Sequence, residues 1–388
     1  MKIHLPRNTI RYFTFTLYNF FYVTYMMGYT SQAFYLATLM LFCLMNLIDI
    51  FRRGGIICKG LKDFRLGMGY ILTFLCISLF IQLLNRDFEI YLFSGLLRIT
   101  LPIVNAFLIV NSFEPSEFGA LFNVLLARFV VHFVWENYSN FNLAGLMSIS
   151  WANSNSVMES SMAHDFLVME IYYLSKRENK RALICMIFCM LSMKRLSFIL
   201  APTLFIAAKI AKGLDFPVKK GYVRALKGIA IASPFIILVL YSEGVQNLFL
   251  QWFHLDLNEA MSGRVAIYNT LVNNIPYYNG YGSINTFLEK FVSTRYGTYW
   301  NAILHNDFLR IYYETTIIGV VVLANNLVEL SKRNYWHFII VAYLILVAIT
   351  SHILNYFSVW ITFYMIVFCF HVEEKCNNTI CYKQEVKD

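Results

Sequence analysis

Charged residues are scarce in this sequence: they make up 14% of its 388 residues, against about 25% in soluble globular proteins. Hydrophobic residues make up 58%, and the mean hydropathy is +0.55. This balance excludes a disordered chain, a coiled coil, a collagen-like repeat and an ordinary soluble enzyme. A single soluble core could not bury so much apolar surface, so the excess predicts an integral membrane protein in contact with the bilayer.

Motifs that would signal nucleotide chemistry are also missing. The sequence has no G-x-x-x-x-G-K-[ST] loop and no dinucleotide-binding fingerprint, and residues 243–304 hold no D-x-D pair for a metal-bound nucleotide sugar. The net charge of +9 does not indicate nucleic acid, because most basic residues lie in short loops between apolar runs. We therefore expect no cofactor, no metal and no nucleic-acid partner.

Long apolar runs divide the chain into candidate membrane-spanning helices, each of which needs roughly 20 mostly apolar residues. The sequence predicts an all-α, polytopic transmembrane helix bundle that forms a single integral membrane domain over residues 1–388. About twelve spans are expected, at 10–28, 32–50, 67–84, 90–111, 118–136, 160–175, 182–193, 196–212, 226–242, 305–327, 336–351 and 354–371.

The distribution of Lys and Arg sets the predicted orientation, because cytoplasmic loops carry an excess of both. Most of the 32 basic residues fall in alternate connections, among them 51–66, 175–181 and 209–227. Both termini are then cytoplasmic, while 137–159 and 243–304 lie outside. None of the 8 cysteines lies in an outer segment, so no disulfide framework is expected.

The large extracytoplasmic loop, residues 243–304, is expected to fold over the outer membrane face and to roof the active site. It is rich in aromatic residues, and its stretch 248–257 is expected to lie in the interface as a short amphipathic helix. The aromatic residues of this loop include Trp252, Tyr277, Tyr278, Tyr281, Tyr296, Tyr299 and Trp300.

Several charged residues break the orientation rule, because they lie within predicted spans or at their outer ends. A charge in hydrocarbon costs ~2.5–3.5 kcal/mol, so such residues usually face a polar cavity. Together they predict one basic cavity that opens outward beneath the 243–304 loop. They include Arg98, Arg128, Lys194, Arg195, Arg264, His305, Asp307, Arg310 and Glu314.

Purely structural explanations stay open for some of these charges. Arg310 and Glu314 are spaced i, i+4, so they could simply neutralise each other. Lys194 and Arg195 could extend to the lipid headgroups. If the cavity instead binds a ligand, its clustered cations suit phosphate, and the aromatic roof suits sugar rings. The ligand expected from both features is a lipid-linked, phosphorylated saccharide.

At this point the chain resembles a known family, the Wzy-type polysaccharide polymerases, which build bacterial O-antigen and capsule and are related to the O-antigen ligases. The resemblance covers the whole architecture. The ligase-like pattern would place another glycine near position 316, where this chain has Thr316. The motifs that carry the resemblance are Met193-Lys194-Arg195-Leu196, Ser262-Gly263-Arg264 with Gly280-Tyr281-Gly282-Ser283, and His305-Asn306-Asp307-Phe308-Leu309 running into Gly319.

This resemblance implies a GT-C-like fold in the bacterial inner membrane, with an active site that faces the periplasm. The implied reaction is an inverting glycosyl transfer. A growing glycan on undecaprenyl diphosphate is the donor, and the terminal hydroxyl of a fresh lipid-linked repeat unit is the acceptor. Expected partners are therefore these two lipid-linked oligosaccharides and membrane lipids, with a chain-length regulator protein as a further candidate.

The resemblance and the chemistry together suggest a role for each candidate residue. His305 is the expected base for the acceptor hydroxyl. Cations are expected to stabilise the departing diphosphate, and Arg264 is counted with His305 as catalytic. The diphosphate-binding residues are Lys194, Arg195, Arg264 and Arg310, and the supporting or substrate-binding residues are Asn306, Asp307, Glu314, Arg98, Arg128, Tyr281 and Gly282.

Three other functions remain alternatives. An O-antigen ligase would use the lipid A core as its acceptor. A flippase or transporter for lipid-linked sugars would usually show internal repeats and charges near the membrane midplane, and neither is evident here. A scaffold protein would have no need of the cavity charges.

The predicted orientation leads to a direct test. Residues 213–223 should be cytoplasmic and residues 243–304 extracytoplasmic, because of the Lys and Arg bias. Cysteines introduced at positions 215 and 285 should therefore react with an impermeant thiol reagent from opposite sides of the membrane. Labelling of both positions from the same side would reject this topology.

Overall fold

The computed structural model describes residues 7–54, 59–141, 158–210, 217–254, 256–260, 264–274, 279–296, 303–332 and 334–385. Within these ranges the regular elements are helices, and no strand is present. The prediction of an all-α chain is confirmed for the described residues. Six helical segments are long and apolar enough to cross a membrane, namely Gln32–Arg52, Leu61–Asn85, Tyr91–Ser112, Pro115–Asn140, Lys220–Leu240 and Asp307–Ser331.

Some residues singled out from the sequence lie outside the described ranges. They are Ser262 and Gly263 of the second motif, the roof residues Tyr277, Tyr278, Tyr299 and Trp300, most of the outer segment 137–159, and residues 213–216 of the predicted cytoplasmic loop.

Each of the twelve predicted spans lies on a helix, and the described residues of the 243–304 segment contribute four more. In chain order the helices are α1 (Arg7–Met26), α2 (Gln32–Arg52), α3 (Leu61–Asn85), α4 (Tyr91–Ser112), α5 (Phe118–Asn137), α6 (Met162–Ser175), α7 (Asn179–Leu191), α8 (Arg195–Ile210), α9 (Lys220–Leu240), α10 (Glu243–Phe253), α11 (Leu257–Ala260), α12 (Arg264–Asn274), α13 (Ser283–Tyr296), α14 (Asp307–Ser331), α15 (Tyr335–Thr350) and α16 (Phe357–Glu385).

The chain divides into two compact units. The first unit comprises Met1–Phe64, Pro102–Leu214 and Ser358–Asp388, and the second comprises Arg65–Leu101 and Asp215–Phe357. One boundary falls inside α4 at Pro102, a residue that lacks the N–H needed for the helical hydrogen-bond ladder.

Buried polar side chains join helices within the first unit. Arg11 of α1 donates to Asp49 of α2 over 2.9 Å and also to the backbone carbonyl of Ser112. The Ser358 hydroxyl of α16 donates to the Asp165 carboxylate of α6 at 2.6 Å. Because unpaired polar groups are costly in an apolar environment, such pairs favour one arrangement of the helices in this unit.

Helix α14 organises the second unit. Helices α9 and α15 both pack against it. Leu309 and Tyr313 of α14 also lie in one hydrophobic cluster with Val265 of α12 and Leu288 of α13. The helices from the 243–304 segment therefore share a core with α14.

Helix α10 differs in its bounds from the amphipathic helix expected over 248–257. It spans Glu243–Phe253 and ends where His254 adopts a left-handed conformation with φ 52°. None of its residues is buried, and Leu250, Trp252 and Phe253 are 53%, 74% and 66% exposed. Exposed apolar side chains of this kind suit the membrane interface, and the interfacial position of α10 stays a prediction.

Helix α14 is interrupted one third of the way along its length. Thr315 has φ −138° and ψ 16°, and Thr316 has φ 66° and ψ −175°. The conformation of Thr316 is one that glycine adopts readily and that a β-branched residue adopts only under strain. The position where the sequence departs from the ligase-like pattern is therefore a position where the backbone itself would favour glycine.

The interruption leaves no room for a side chain at Gly319. A Cβ atom at this position would lie 1.8 Å from Thr315 Oγ1 and 2.8 Å from Thr315 Cβ. Rotation of the Thr315 hydroxyl away from position 319 would break the hydrogen bond that it donates to the Ile311 carbonyl over 2.9 Å.

We expect Gly319→Ala to lower the free energy of unfolding by about 1–3 kcal/mol, the usual cost of overpacking. The matched control is Gly228→Ala in α9, where an added Cβ meets nothing within 4 Å and where alanine should stabilise the helix by up to ~1 kcal/mol. Thermal unfolding of the purified protein in detergent would measure both. Equal melting temperatures for the two variants would contradict the contact between Thr315 and Gly319.

Candidate functional site

A polar cavity of about 240 Å³ lies within the second unit. It is formed by α4, α13, α14 and the segments that precede α13 and α16. Four of the residues predicted for the site, Arg98, Tyr281, Gly282 and Arg310, line this cavity together. Its lining residues are Tyr91, Ser94, Gly95, Arg98, Tyr281, Gly282, Asn285, Thr286, Glu289, Arg310, Leu354 and Asn355.

Asn279 lies just before the cavity residues Tyr281 and Gly282, and it is hydrogen-bonded to the neighbouring ends of α3 and α4. The Asn279 side chain donates to Asp87 Oδ2 over 2.8 Å. Its backbone carbonyl accepts from Gln82 Nε2 at 3.4 Å and from the Tyr91 hydroxyl at 3.3 Å. A short stretch of the 243–304 segment is thereby tied into the helical part of this unit.

The next residues of the wall pass close to neighbouring helices. Gly280 and Gly282 have φ values of 92° and 91°, and a Cβ at Gly280 would lie 3.1 Å from Ser78 Cβ. The backbone N–H of Tyr281 donates to the Ser78 hydroxyl over 3.0 Å. The two glycines therefore permit a turn that other residues could adopt only with strain.

Tyr281 is buried between α3 and α4 and lies beside Arg310. Its ring meets Phe74 edge-on with centroids 5.5 Å apart, and the Arg310 guanidinium lies 5.8 Å from the ring centroid. Burial raises the pKa of the Tyr281 phenol, and the charge of Arg310 opposes this rise only in part. The hydroxyl is therefore neutral at physiological pH.

Arg310 is the buried cation of the site, with a side chain only 2% exposed. Its Nη1 donates to Asn355 Oδ1 over 2.7 Å. Asp307 Oδ1 lies 3.2 Å from Nη2, and Glu314 Oε2 lies 3.9 Å from Nε. The spacing i, i+3 and i, i+4 along α14 places both carboxylates next to the guanidinium.

The two carboxylates also hold backbone segments from outside α14. Asp307 Oδ2 accepts the N–H of Leu354 over 2.8 Å, and Glu314 Oε1 accepts the N–H of Ile284 over 3.2 Å. In addition, the Glu314 carbonyl accepts the N–H of Gly280 over 3.1 Å. Arg310 is thus fixed within a network of charges and hydrogen bonds, as a preorganised anion-binding group requires.

The Arg310 Nε lacks a hydrogen-bond acceptor among the described residues. Arg98, by contrast, is exposed at the cavity and makes no ion pair within the described ranges. Since two carboxylates already neutralise Arg310, Arg98 is the cation of this cavity whose charge is most available to an anionic ligand.

His305 is not one of the residues that line the cavity. Its Nδ1 lies 3.1 Å from Nδ1 of His352, and His352 Nε2 lies 2.8 Å from the Tyr356 hydroxyl. Only one proton can be shared between the two facing Nδ1 atoms, so the pair is suited to proton transfer. Asn306 next to it caps α14 by accepting the N–H of Leu309 over 2.7 Å.

Arg264 also lies in the second unit but not at the cavity. It begins α12 and donates to the backbone carbonyl of Thr350 over 2.9 Å. This hydrogen bond connects α12 to the end of α15 and gives Arg264 a structural contact that its sequence motif did not predict.

The other predicted residues belong to the first unit. Arg128 is buried, donates to Asn19 Oδ1 over 3.1 Å, and lies 4.5 Å from the ring centroids of both Tyr22 and Phe129. Lys194 forms an ion pair with Glu159, while Arg195 is exposed at the start of α8. The ion pair of Lys194 is a structural contact different from the alternative left open by the sequence, which was extension of Lys194 and Arg195 to the lipid headgroups.

Some residues of the cavity and its surroundings were missed from the sequence. Asn355, Asn285, Ser78, His352 and Tyr356 are common residue types outside the quoted motifs. The signal that could have found His352, Asn355 and Tyr356 is their place in and beside the short connection between the predicted spans 336–351 and 354–371.

Comparison with known proteins assigns no family: no protein-family model matches the chain, and no curated protein matches it significantly. Among the described residues, no group of three or more His, Cys, Asp or Glu side chains is arranged to hold a metal ion. The function is therefore argued from the geometry of the cavity.

Proposed function

We propose that this chain is a membrane glycosyltransferase of the Wzy type, which polymerises undecaprenyl-diphosphate-linked repeat units into O-antigen or capsular polysaccharide. The observation that carries the proposal is the cavity in the second unit. Arg98 and Arg310 line it together with amide and aromatic side chains, in a protein with six helical segments able to cross a membrane. Cations of this kind bind diphosphate, and the amides Asn285 and Asn355 suit sugar hydroxyls.

In the proposed reaction the acceptor hydroxyl attacks the anomeric carbon of the donor glycan. The bond from that carbon to the diphosphate oxygen breaks, and its electron pair leaves with undecaprenyl diphosphate. The proton of the acceptor hydroxyl passes to a base. Attack from the face opposite the diphosphate inverts the anomeric configuration.

Arg98 and Arg310 play different parts in this proposal. Arg310 is rigidly held and largely neutralised by Asp307 and Glu314, so its proposed part is to give the cavity a fixed polar wall beside the phosphate. Arg98 forms no ion pair among the described residues, although Glu289 lines the same cavity, and it supplies the charge that stabilises the leaving diphosphate. Lys194, Arg195, Arg128 and Arg264 remain proposed contributors to substrate binding.

The proposed topology has twelve spans, both termini in the cytoplasm and the 243–304 segment in the periplasm. It places a GT-C-like enzyme in the bacterial inner membrane with its site facing outward. The coincidence of every predicted span with a helix supports the positions of the spans, and the Lys and Arg bias supports their orientation. The donor and acceptor oligosaccharides would then reach the site from the outer leaflet, and a chain-length regulator protein is a proposed partner.

The decisive experiment uses full-length protein in proteoliposomes supplied with a lipid-diphosphate-linked repeat unit. We expect a ladder of products that differ by one repeat. Arg98→Gln should lower the rate by about 10²-fold, because it removes a preorganised charge at the leaving group. Lys290→Gln is the matched control: it is an exposed cation on α13 that does not line the cavity, and it should retain the rate.

Other outcomes of the same experiment would reject the proposal. Transfer only to a lipid A core acceptor would indicate a ligase, and movement of the lipid-linked unit across the bilayer without elongation would indicate a flippase. Equal rates for Arg98→Gln and Lys290→Gln would show that the diphosphate does not bind in this cavity.

A further prediction concerns the base that accepts the proton of the acceptor hydroxyl, for which we propose His305. Glutamine can form a hydrogen bond but cannot accept a proton near neutral pH. We therefore expect His305→Gln to retain folding and substrate binding while turnover falls by roughly 10²–10⁴-fold. Because His352 faces His305 at 3.1 Å, His352→Gln should shift the pH–rate profile with a smaller loss of rate.

Near-normal polymerisation by His305→Gln would reduce His305 to a structural residue. The base would then have to be sought at Asp307, at Glu314 or at the pair His164 and Asp165.

A further inference from the structure

A second cavity in the same unit, separate from the candidate site, collects basic side chains between two helices. Its volume is about 480 Å³, and it lies between the first turns of α9 and the last turns of α14. Lys220, Arg224 and Lys227 line it from α9, and Lys332 lines it from just beyond the end of α14. We call this cavity the basic groove.

The basic groove follows from the helical period of both helices. Lys220, Arg224 and Lys227 are spaced i, i+4 and i+7, so all three project from one face of α9. Across the groove Asn325 and Glu329 of α14 and Lys332 just beyond its end are spaced in the same way. Packing of the two helices therefore brings four cations and one carboxylate to one opening.

Charge in the basic groove is poorly balanced. Lys332 is paired with Glu329. Within the part of the chain that the structure describes, the side chains of Lys220, Arg224 and Lys227 have no ion-pair or hydrogen-bond partner. Like charges spaced i, i+4 repel each other, so an anion in the groove would relieve a repulsion that the described residues do not offset.

The N-terminus of α9 adds to the excess of positive charge in the basic groove. Cations at the N-terminus of a helix oppose its dipole, and the first N–H groups of a helix lack intrahelical partners. The residue before α9 is Lys219, whose side chain does not cap the helix. A phosphate oxygen near this end could accept both the backbone N–H groups and the side-chain donors.

The position of the basic groove indicates where such a phosphate would come from. Both α9 and α14 are long and apolar enough to cross a membrane, so the groove lies at the ends of two candidate spans, where lipid headgroups are found. Val223 and Val328 also line it and provide an apolar surface for the start of an acyl chain. Basic pockets between membrane helices are suited to acidic lipid headgroups.

We propose that the basic groove binds the phosphate of an anionic phospholipid headgroup. Lys220, Arg224 and Lys227 contact the phosphate, Lys332 lies at its edge, and Glu329 limits the affinity by holding Lys332. The site is independent of the proposed glycosyl transfer, because none of its lining residues belongs to the polar cavity.

The test uses the full-length protein in neutral detergent and measures bound lipid by native mass spectrometry. The probes are phosphatidylglycerol and phosphatidylcholine with the same acyl chains. Wild-type protein should prefer phosphatidylglycerol. A triple variant, Lys220→Gln, Arg224→Gln and Lys227→Gln, should bind it about tenfold more weakly, while its binding of phosphatidylcholine should not change.

The matched control replaces the same number of cations elsewhere. Arg52→Gln, Lys62→Gln and Lys209→Gln change exposed residues that form no ion pair within the described ranges and do not line the groove. This variant should retain the wild-type affinity for phosphatidylglycerol. Glu329→Gln should strengthen binding about two- to threefold, because it releases Lys332.

Three results would overturn the proposal. One is unchanged phosphatidylglycerol affinity in the triple groove variant, and another is an equal loss in the control variant, which would indicate non-specific attraction to basic protein. The third is displacement of phosphatidylglycerol by an equal concentration of inorganic phosphate, which would assign the groove to free phosphate instead of a lipid.

Discussion

Arg310 is only 2% exposed, and a guanidinium taken out of water loses hydration worth several kcal/mol unless other charges and dipoles replace it. Asp307, Glu314 and Asn355 supply that replacement. Each carboxylate then needs its own donors, which come from the backbone of Leu354 and Ile284. Burying one cation therefore determines how three separate stretches of the second unit meet.

The same requirement accounts for the unusual course of α14. The carbonyl of Glu314 accepts a hydrogen bond from Gly280, a partner outside the helix, and the regular helical path breaks immediately afterwards at Thr315 and Thr316. A broken helix with external backbone partners is tolerated at membrane depth only where other protein groups satisfy it. Here the candidate site and the helix break are parts of one hydrogen-bonded arrangement.

Local spacing made part of this site predictable. Asp307, Arg310 and Glu314 lie at helical intervals, so their proximity follows from the sequence alone. Likewise, apolar length was sufficient to place a helix at each predicted span. Tyr281 and Gly282 were singled out from a motif of the family resemblance, and the structure places both beside Arg98 and Arg310 in the lining of the cavity.

Long-range contacts could not be predicted in the same way. Nothing near Ser78, Asn279 or Asn355 in the sequence indicates their partners, which are Tyr281 for Ser78, Asp87 for Asn279 and Arg310 for Asn355. Each of these contacts joins positions far apart in the chain. The pairing of Lys194 with Glu159 likewise depends on tertiary packing. For Arg264 and His305, the sequence motif identified polar residues but not their partners, Thr350 and His352.

The bonds made by Asn279 and by the two residues after it have a practical consequence for anyone who exchanges or tags the 243–304 segment. Asn279 contacts Asp87, Gln82 and Tyr91, so residues 279–284 act as part of the helical framework and not as part of a detachable cap. A graft that replaces the whole segment would strip donors from Ser78 and Glu314 and would compromise the scaffold along with the roof. A graft that ends before Asn279 would keep these bonds, but it would still replace Val265 of α12, which packs in one cluster with Leu309 and Tyr313 of α14.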